Sequence, residues 1–283
     1  MELPQLRTLV AVIEHGSFEA AADALHLTQS AVSQRIRALE TSVGQVLIRR
    51  ARPAGVTEAG QVYLRLARQV LSLTEQAQHD AGSATQQTRL SIAVNSDSLG
   101  TWVLPALAPL ADRIAFDLHR EDEAHSIALL RDGTVMAAIT TSGQPVQGCT
   151  VHRLGALRYR PMVAPDRQRA WFPDGATVHA LTRAPVVVFD RKDDLQDAFL
   201  RAHGVDPTAP PRHHVPASAD FATAVRLGMG WGMLPETETG PDLAPLADHP
   251  VDVTLYWQQW SLAARDLDHT GQAIRAAAAR HLR

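Results

Sequence analysis

Cysteine occurs once in this chain of 283 residues, at Cys149. A single thiol cannot close an internal disulfide or build a cysteine-based zinc site, so a two-cysteine redox switch and a zinc framework are both excluded. Lysine is equally scarce. Of the 27 basic residues all but Lys192 are arginine, a bias that reflects coding preference rather than function. No stretch approaches the roughly 18 apolar residues of a membrane span. The opening MELPQLRTLV lacks the charged start and apolar core of a signal peptide, so a cytoplasmic location and no membrane partner are expected. Enzyme motifs are missing too, with no G-x-S-x-G and no H-E-x-x-H. The run Gly228-Met229-Gly230-Trp231-Gly232 lacks the third glycine of a dinucleotide fingerprint at the right offset and runs into Pro235 instead of opening a helix. His213-His214 are adjacent in a proline-rich stretch and so point apart rather than share a metal. No catalytic residue, cofactor or metal site is therefore expected.

What is present is concentrated in residues 17–43, SFEAAADALHLTQSAVSQRIRALETSV. Thr28 suits an N-cap, and Val32, Ile36, Leu39 and Val43 then recur at four, three and four, which places them on one buried stripe. At about 100° per residue Gln29, Ser30, Ser33, Gln34, Arg37 and Thr41 fall on the opposite, polar face. Ser17 can cap a preceding helix that turns Phe18, Ala21, Ala22 and Leu25 inward, with residues 25–28 as the corner. Two such helices are either an ordinary helical hairpin with a solvated face or a helix-turn-helix, whose second helix enters the DNA major groove. Glutamine suits adenine, arginine suits guanine or phosphate, and serine discriminates little.

Charge favours the second. The whole chain carries −3, yet residues 29–52 hold Arg35, Arg37, Arg49, Arg50 and Arg52 against Glu40 alone, a local +4 that attracts phosphates. Residues 46–48 suit a short strand, Pro53 and Gly55 a turn, and Val56 a return strand: a small wing with Arg49, Arg50 and Arg52 at its tip to grip phosphates or enter the minor groove. Thr57 can cap a long helix in which Ala59, Tyr63, Leu66, Val70, Leu73 and Ala77 alternate in steps of four and three. That seam either packs on its own domain or pairs with the same helix of a second chain. Dimerisation through Tyr63, Leu66, Val70 and Leu73 would present two recognition helices to a two-fold related operator in double-stranded DNA. Residues 82–88, GSATQQT, read as a hinge. Beyond it, strand candidates at 89–94, 114–118, 135–140, 160–163, 186–189 and 255–262 alternate with helix candidates at 124–132, 193–203, 218–228 and 268–282, which predicts an open α/β sheet.

GSFEAAADALHLTQSAVSQRIRALE, the wing ending in VTEAG and the heptad helix together resemble a LysR-type transcriptional regulator over nearly the full length. Thr28 stands where the family usually has proline. Within the family, IAVNSDSLGTWVLPAL, GALRY, APVVVFDRKDDLQDAFL, GWGMLPE and LYWQQW are similar to the LysG/ArgP branch, which controls export of basic amino acids. The resemblance implies an α/β chain with an N-terminal winged helix-turn-helix, a long linker helix and a C-terminal two-lobed periplasmic-binding-protein-like (type 2) effector domain. The matching boundaries are 1–58 for the DNA-binding domain, 59–87 for the dimerising helix and hinge, and 88–283 for the effector domain, with lobe I at about 88–162 plus 263–283 and lobe II at about 163–262. It implies a homodimer or homotetramer, a small-molecule effector such as L-lysine or L-arginine, and an activator with RNA polymerase as a further partner.

Ligands of open α/β sheets bind at strand carboxyl ends near helix N-termini. Asn95, Ser96, Asp97 and Ser98 occupy such a place, with hydroxyls and backbone N–H groups for a carboxylate and Asp97 for an ammonium. Ser98 and Thr101 serve equally as helix caps. Thr140, Thr141 and Ser142 add donors from the opposite side. For a basic side chain, Glu121-Asp122-Glu123 and Asp190 with Asp193 and Asp194 offer acidic partners, although such runs are also ordinary solvated surface, and Lys192 beside its aspartates equally suits a surface ion pair. Trp257, near Tyr256 and Trp260, either walls the cleft or belongs to the core, and Trp231 carries the same ambiguity. Two other functions fit parts of the pattern: an exported solute-binding protein, which needs the missing signal, and an architectural DNA binder of the replication-inhibitor kind, which has no use for so large a C-terminal body.

Overall fold

In the computed structural model, which describes residues 1–81, 87–121, 123–191 and 193–283, three helices and a hairpin build the N-terminal domain. They are α1 (Leu3–Glu14), α2 (Phe18–Ala24), α3 (Gln29–Val43), and the antiparallel pair β1 (Ile48–Arg49) and β2 (Gly55–Val56). Leu9, Val12, Ala21, Val32, Ile36, Leu39 and Leu47 are wholly buried in one cluster. Each helix therefore stands on the stripe its apolar spacing supplies. Ser17 Oγ accepts from Ala20 N at 3.0 Å and Thr28 Oγ1 from Ala31 N at 3.2 Å, satisfying first-turn donors that have no partner within the helix. Gly44, at φ +74°, ends α3 in the left-handed region that side chains avoid. The corner residue His26 takes φ +53° without being glycine.

The linker helix α4 (Glu58–Asp80) starts on Thr57, whose Oγ1 accepts from Gly60 N at 2.9 Å. Its seam is not the single stripe that the heptad spacing suggests. Leu64 and Ala67 are inside the N-terminal core, and Tyr63 and Val70 are half-buried against it. Leu66 is half-buried outside that cluster, Leu73 is 38 % exposed and Val62 67 % exposed. Steps of three and four run along both faces of a helix that closes one domain on one side, so the outward stripe is Val62, Leu66 and Leu73, and Tyr63 and Val70 belong to the inward one.

The C-terminal domain is a seven-stranded mixed sheet, as expected for α/β alternation. Its strands are β3 (Thr88–Val94), β4 (Ile114–Arg120), β5 (Ala137–Thr140), β6 (Cys149–Val163), β9 (Gly232–Pro235), β10 (Ala244–Pro245) and β11 (Val251–Trp260), in the order β10-β6-β11-β5-β3-β4 with β9 on β6. After β3, α5 (Ser96–Ser98) widens through a π segment at Leu99–Val103 into α6 (Leu104–Leu107), and α7 (Glu123–Asp132) precedes β5. Next come α8 (Pro165–Trp171), α9 (Val178–Arg183), β7 (Val186–Val188), α10 (Leu195–Ala202), β8 (Arg212–His214) and α11 (Ser218–Arg226), with β7 and β8 forming a separate parallel pair. α12 (Arg265–His281) closes the domain against β11 and β6.

β6 and β11 cross between the two halves side by side. The expected return to lobe I at 263 comes too late, since β11 already pairs with β5 from Tyr256 to Gln259. β6 runs for 15 residues where the pattern predicted only 160–163. Its register shifts near Gly155, at φ +137°, and its buried face changes as it passes from one half to the other, so no single alternation runs its length. Residues 82–86 of the hinge expected at 82–88, and Asp122 and Lys192, lie outside the described residues, as do the side chains at 79, 80, 123 and 124, while Thr88 already opens β3. No helix among the described residues is long and apolar enough to cross a membrane.

Candidate DNA-reading edge and effector cavity

On α3 the buried stripe leaves the other face outward. Gln29, Ser30, Gln34 and Arg37 are exposed and Ser33 is half-buried. Thr28 Oγ1 also lies 2.9 Å from Ser30 Oγ, which orients the first turn. Arg49, Arg50 and Arg52 are exposed beside it. Two anchors fix the wing, one on that helix and one between α1 and α2. Glu40 Oε1 accepts from Leu47 N at 2.9 Å and Ile48 N at 3.3 Å, and Gly16 O accepts from Ala54 N at 2.7 Å. The one carboxylate that offsets the local positive charge is thus engaged with backbone. Arg50 is held with its guanidinium 5.2 Å from the Phe18 ring centre, a cation–π contact that limits where the charge can swing.

Between the halves of the C-terminal domain lies a cavity of about 670 Å³, within the range that takes small ligands. Asn95, Ser96, Asp97, Thr140, Thr141 and Asp193 line it, with Glu121, Asp190 and Asp194 from the two acidic runs. Ser98 and Trp257 do not. Ser98 is wholly buried within the helix turn, and Trp257 is wholly buried with Nε1 donating to Gln259 Oε1 at 2.6 Å, so the indole is core beneath the cleft. Thr101 bonds back to Asp97 O at 2.6 Å and caps nothing.

Asp97 is the centre of this site. Its Oδ2 accepts from Tyr159 Oη at 2.6 Å and its Oδ1 from Ser218 Oγ at 2.7 Å, one donor from β6 and one from the first turn of α11. Beside it, Asn95 Oδ1 is buried with no hydrogen-bond partner among the described residues. Asp193 is tied into its loop by Phe189 N and Leu195 N, each at 3.1 Å, and its own N–H donates to Asp190 Oδ1 at 3.0 Å. Asp194 meets Arg201 at 2.5 Å.

Among the described residues six carboxylates, those of Asp97, Glu121, Asp190, Asp193, Asp194 and Glu238, line the cavity with one guanidinium, Arg120, and Asp194 is also paired with Arg201. Proton affinity rises at two of them. Burial raises the pKa of Asp193, the N–H groups of Leu195 and Phe189 oppose that, and the charges of Asp97 and Asp190 add to it. Burial raises Glu238 as well, with Asp97 adding and Arg226 opposing. Burial, followed by the charge of Asp97 and the bond to it, holds the Tyr159 hydroxyl well above its ordinary range. Tyr159, Ser218, Glu238, Phe189 and Phe221 escaped the sequence reading because they reach the cavity from strands and helices distant in the chain. GALRY and the helix start at 218 were the signals available for the first two.

Two family models cover the chain. Residues 3–61 match the bacterial regulatory helix-turn-helix protein, lysR family, and residues 83–281 match the LysR substrate binding domain. The HTH-type transcriptional regulator LysG of Mycobacterium tuberculosis is 43 % identical over 282 residues, covering 97 % of this chain and 93 % of that protein. The lysine export transcriptional regulatory protein LysG of Corynebacterium glutamicum is 40 % identical, covering 99 % and 98 %. The full-length structure of C. glutamicum LysG, solved with bound effector Arg, superposes with a TM-score of 0.81 at 39 % identity over the whole of both chains.

Proposed function

Because the chain belongs to the LysR family of DNA-binding transcriptional regulators, which are not enzymes, we propose that it is an amino-acid-responsive regulator of the LysG/ArgP branch. In this reading it takes L-lysine or L-arginine in the acidic cavity and activates a gene for basic amino acid export. The observation that carries it is the excess of carboxylates over Arg120 around Asp97 and the unpartnered Asn95 Oδ1. A buried cation needs such partners, and a neutral side chain would leave the charges of Asp97 and Asp193 facing each other across the cavity. The relative from C. glutamicum, named for lysine export and solved with Arg, supports the same choice. Titration calorimetry should show heat with lysine or arginine and none with neutral amino acids of similar length. Equal binding of leucine or glutamine overturns the reading.

Protons give a second check. Asp193 and Glu238 have raised pKa values in the empty cavity, and a bound cation lowers them. Binding therefore releases protons, and affinity weakens as pH falls through the raised values, in the mildly acidic range above an ordinary carboxylate pKa of about 4. Heats measured in buffers of different ionisation enthalpy should show that release in acidic solution and almost none at pH 8. Proton uptake on binding would contradict it.

On DNA, Gln29, Ser30, Ser33, Gln34 and Arg37 read or position against base edges, and Arg49, Arg50 and Arg52 hold phosphates. A dimer joined along the outward stripe of α4, Val62, Leu66 and Leu73, presents two such edges to a two-fold related operator. Arg50→Ala should weaken operator and unrelated DNA alike and reduce the salt slope by about one. Gln34→Ala should cost about 1–3 kcal/mol at one base position and leave the salt slope unchanged. Identical behaviour of the two variants would show that these contacts are wrongly sorted.

A further inference from the structure

α7 reaches from the effector cavity to the linker helix. Glu121, just before it, and His125 in its first turn line the cavity. Its last residue, Asp132, lies under α4, about 15 Å away along a ten-residue helix. There Arg68 Nη1 donates to Asp132 O at 3.2 Å and to Thr134 Oγ1 at 3.1 Å, and it lies 3.7 Å from Asp132 Oδ1. The same guanidinium turns its Nη2 to Glu14 Oε1, 3.7 Å away at the last turn of α1. Arg68 is 13 % and Asp132 33 % exposed, so the contacts with the end of α7 are screened less than surface pairs, whereas Glu14, 53 % exposed, meets Arg68 at the surface.

The loop it holds is tightly placed. Thr134 N donates to Asp132 Oδ1 at 2.8 Å, Gly133 stands at φ +81°, and a Cβ there would come within 3.3 Å of Arg65 Cα and 3.2 Å of the Trp260 ring. Next along α4, Arg65 Nη2 donates to Gln147 O at 2.5 Å. A cation at the carbonyl end of α7 also meets the negative end of its dipole. The geometry points to α7 as a rigid rod and Arg68 as the coupling residue that passes the position of its far end to α1, and so to the recognition domain. This rests on the effector reading above for the signal that moves the rod, but not for the contacts that Arg68 makes.

Coupling of this kind is a ratio: the operator affinity with effector divided by that without, and it requires an element that both sites bias. The test uses the full-length protein, L-arginine, and the DNA upstream of its own gene. Arg68→Gln should leave calorimetric affinity for arginine within about twofold of the parent and bring the coupling ratio to within about twofold of one. Arg68→Lys, which keeps the charge without the fork, should restore part of the ratio. With neither DNA nor amino acid present, amide exchange in Arg68→Gln should rise by about tenfold together in the last turns of α1 and at residues 132–136, with the wing amides unchanged. A parent-like coupling ratio in Arg68→Gln overturns the proposal, and so does unchanged exchange at either place. If the parent itself gives no heat with arginine, the effector reading fails and the exchange measurement alone decides on Arg68.

Discussion

Asp97→Asn is expected to weaken lysine or arginine binding by about 100-fold while the empty protein unfolds within about 4 °C of the parent. The affinity loss follows from charge. Asp97 is the carboxylate that both halves of the domain approach, through Tyr159 and Ser218, and an amide of the same shape cannot balance a buried ammonium or guanidinium. The small effect on stability has a different origin. Burial first, and the charge of Asp97 after it, raises the pKa values of Asp193 and Glu238, so removing that charge relieves the cavity even as the asparagine accepts the two hydroxyl bonds less well. The cavity is electrostatically poor as a folded core and suited to a cation, a trade-off common at binding sites. Calorimetry and thermal unfolding on the same preparation check both halves. Affinity within about threefold of the parent would remove Asp97 from the site, since a buried charge partner contributes far more than that.

Local signals made the N-terminal domain legible. Ser17, Thr28, Gly44 and Thr57 are caps and stops that act within a few residues, and each sits where its side chain or φ demands. The stripe Val32, Ile36, Leu39 needed only the helical period. Glu40 shows where local reading stops. In sequence it is one negative charge in a basic stretch, and its grip on Leu47 N and Ile48 N depends on how the chain turns after Gly44.

The cavity divides in the same way. Residues 95–97 and 140–141 lie at or just past strand ends, and the rule that ligands sit there found them. Tyr159 could not be found by that rule, because it lies mid-strand in β6 and reaches Asp97 across 62 positions of sequence. Trp257 misled for the opposite reason. Aromatic spacing in β11 shows that a face is apolar, and only the packing of α12 against that strand makes it core and not cleft wall.

Gly60→Ala reverses an ordinary rule. Within a helix, alanine is normally more stable than glycine by about 0.5–1 kcal/mol. Here a Cβ would stand 2.0 Å from Leu47 O, a backbone atom that no rotamer change can move. The first turn of α4 is seated there by two further bonds, Thr57 N to Leu47 O at 3.0 Å and Thr57 Oγ1 to Val46 O at 2.7 Å. Helix and wing must therefore separate, and overpacking against buried backbone should cost about 3 kcal/mol or more. Since Leu47 N is also the anchor for Glu40, the displaced wing carries Arg49, Arg50 and Arg52 away from α3. Operator binding should then be lost while amino-acid binding to the C-terminal cavity persists, because β3 to α12 keep their own core. Gly100→Ala supplies the control: nothing lies within 4 Å of its Cβ position and its φ is ordinary, so the helical preference acts alone and stability should be unchanged or slightly higher. Circular dichroism during urea unfolding would compare the two. A Gly60→Ala protein as stable as Gly100→Ala, still binding its operator, would mean that α4 does not sit on the wing as described.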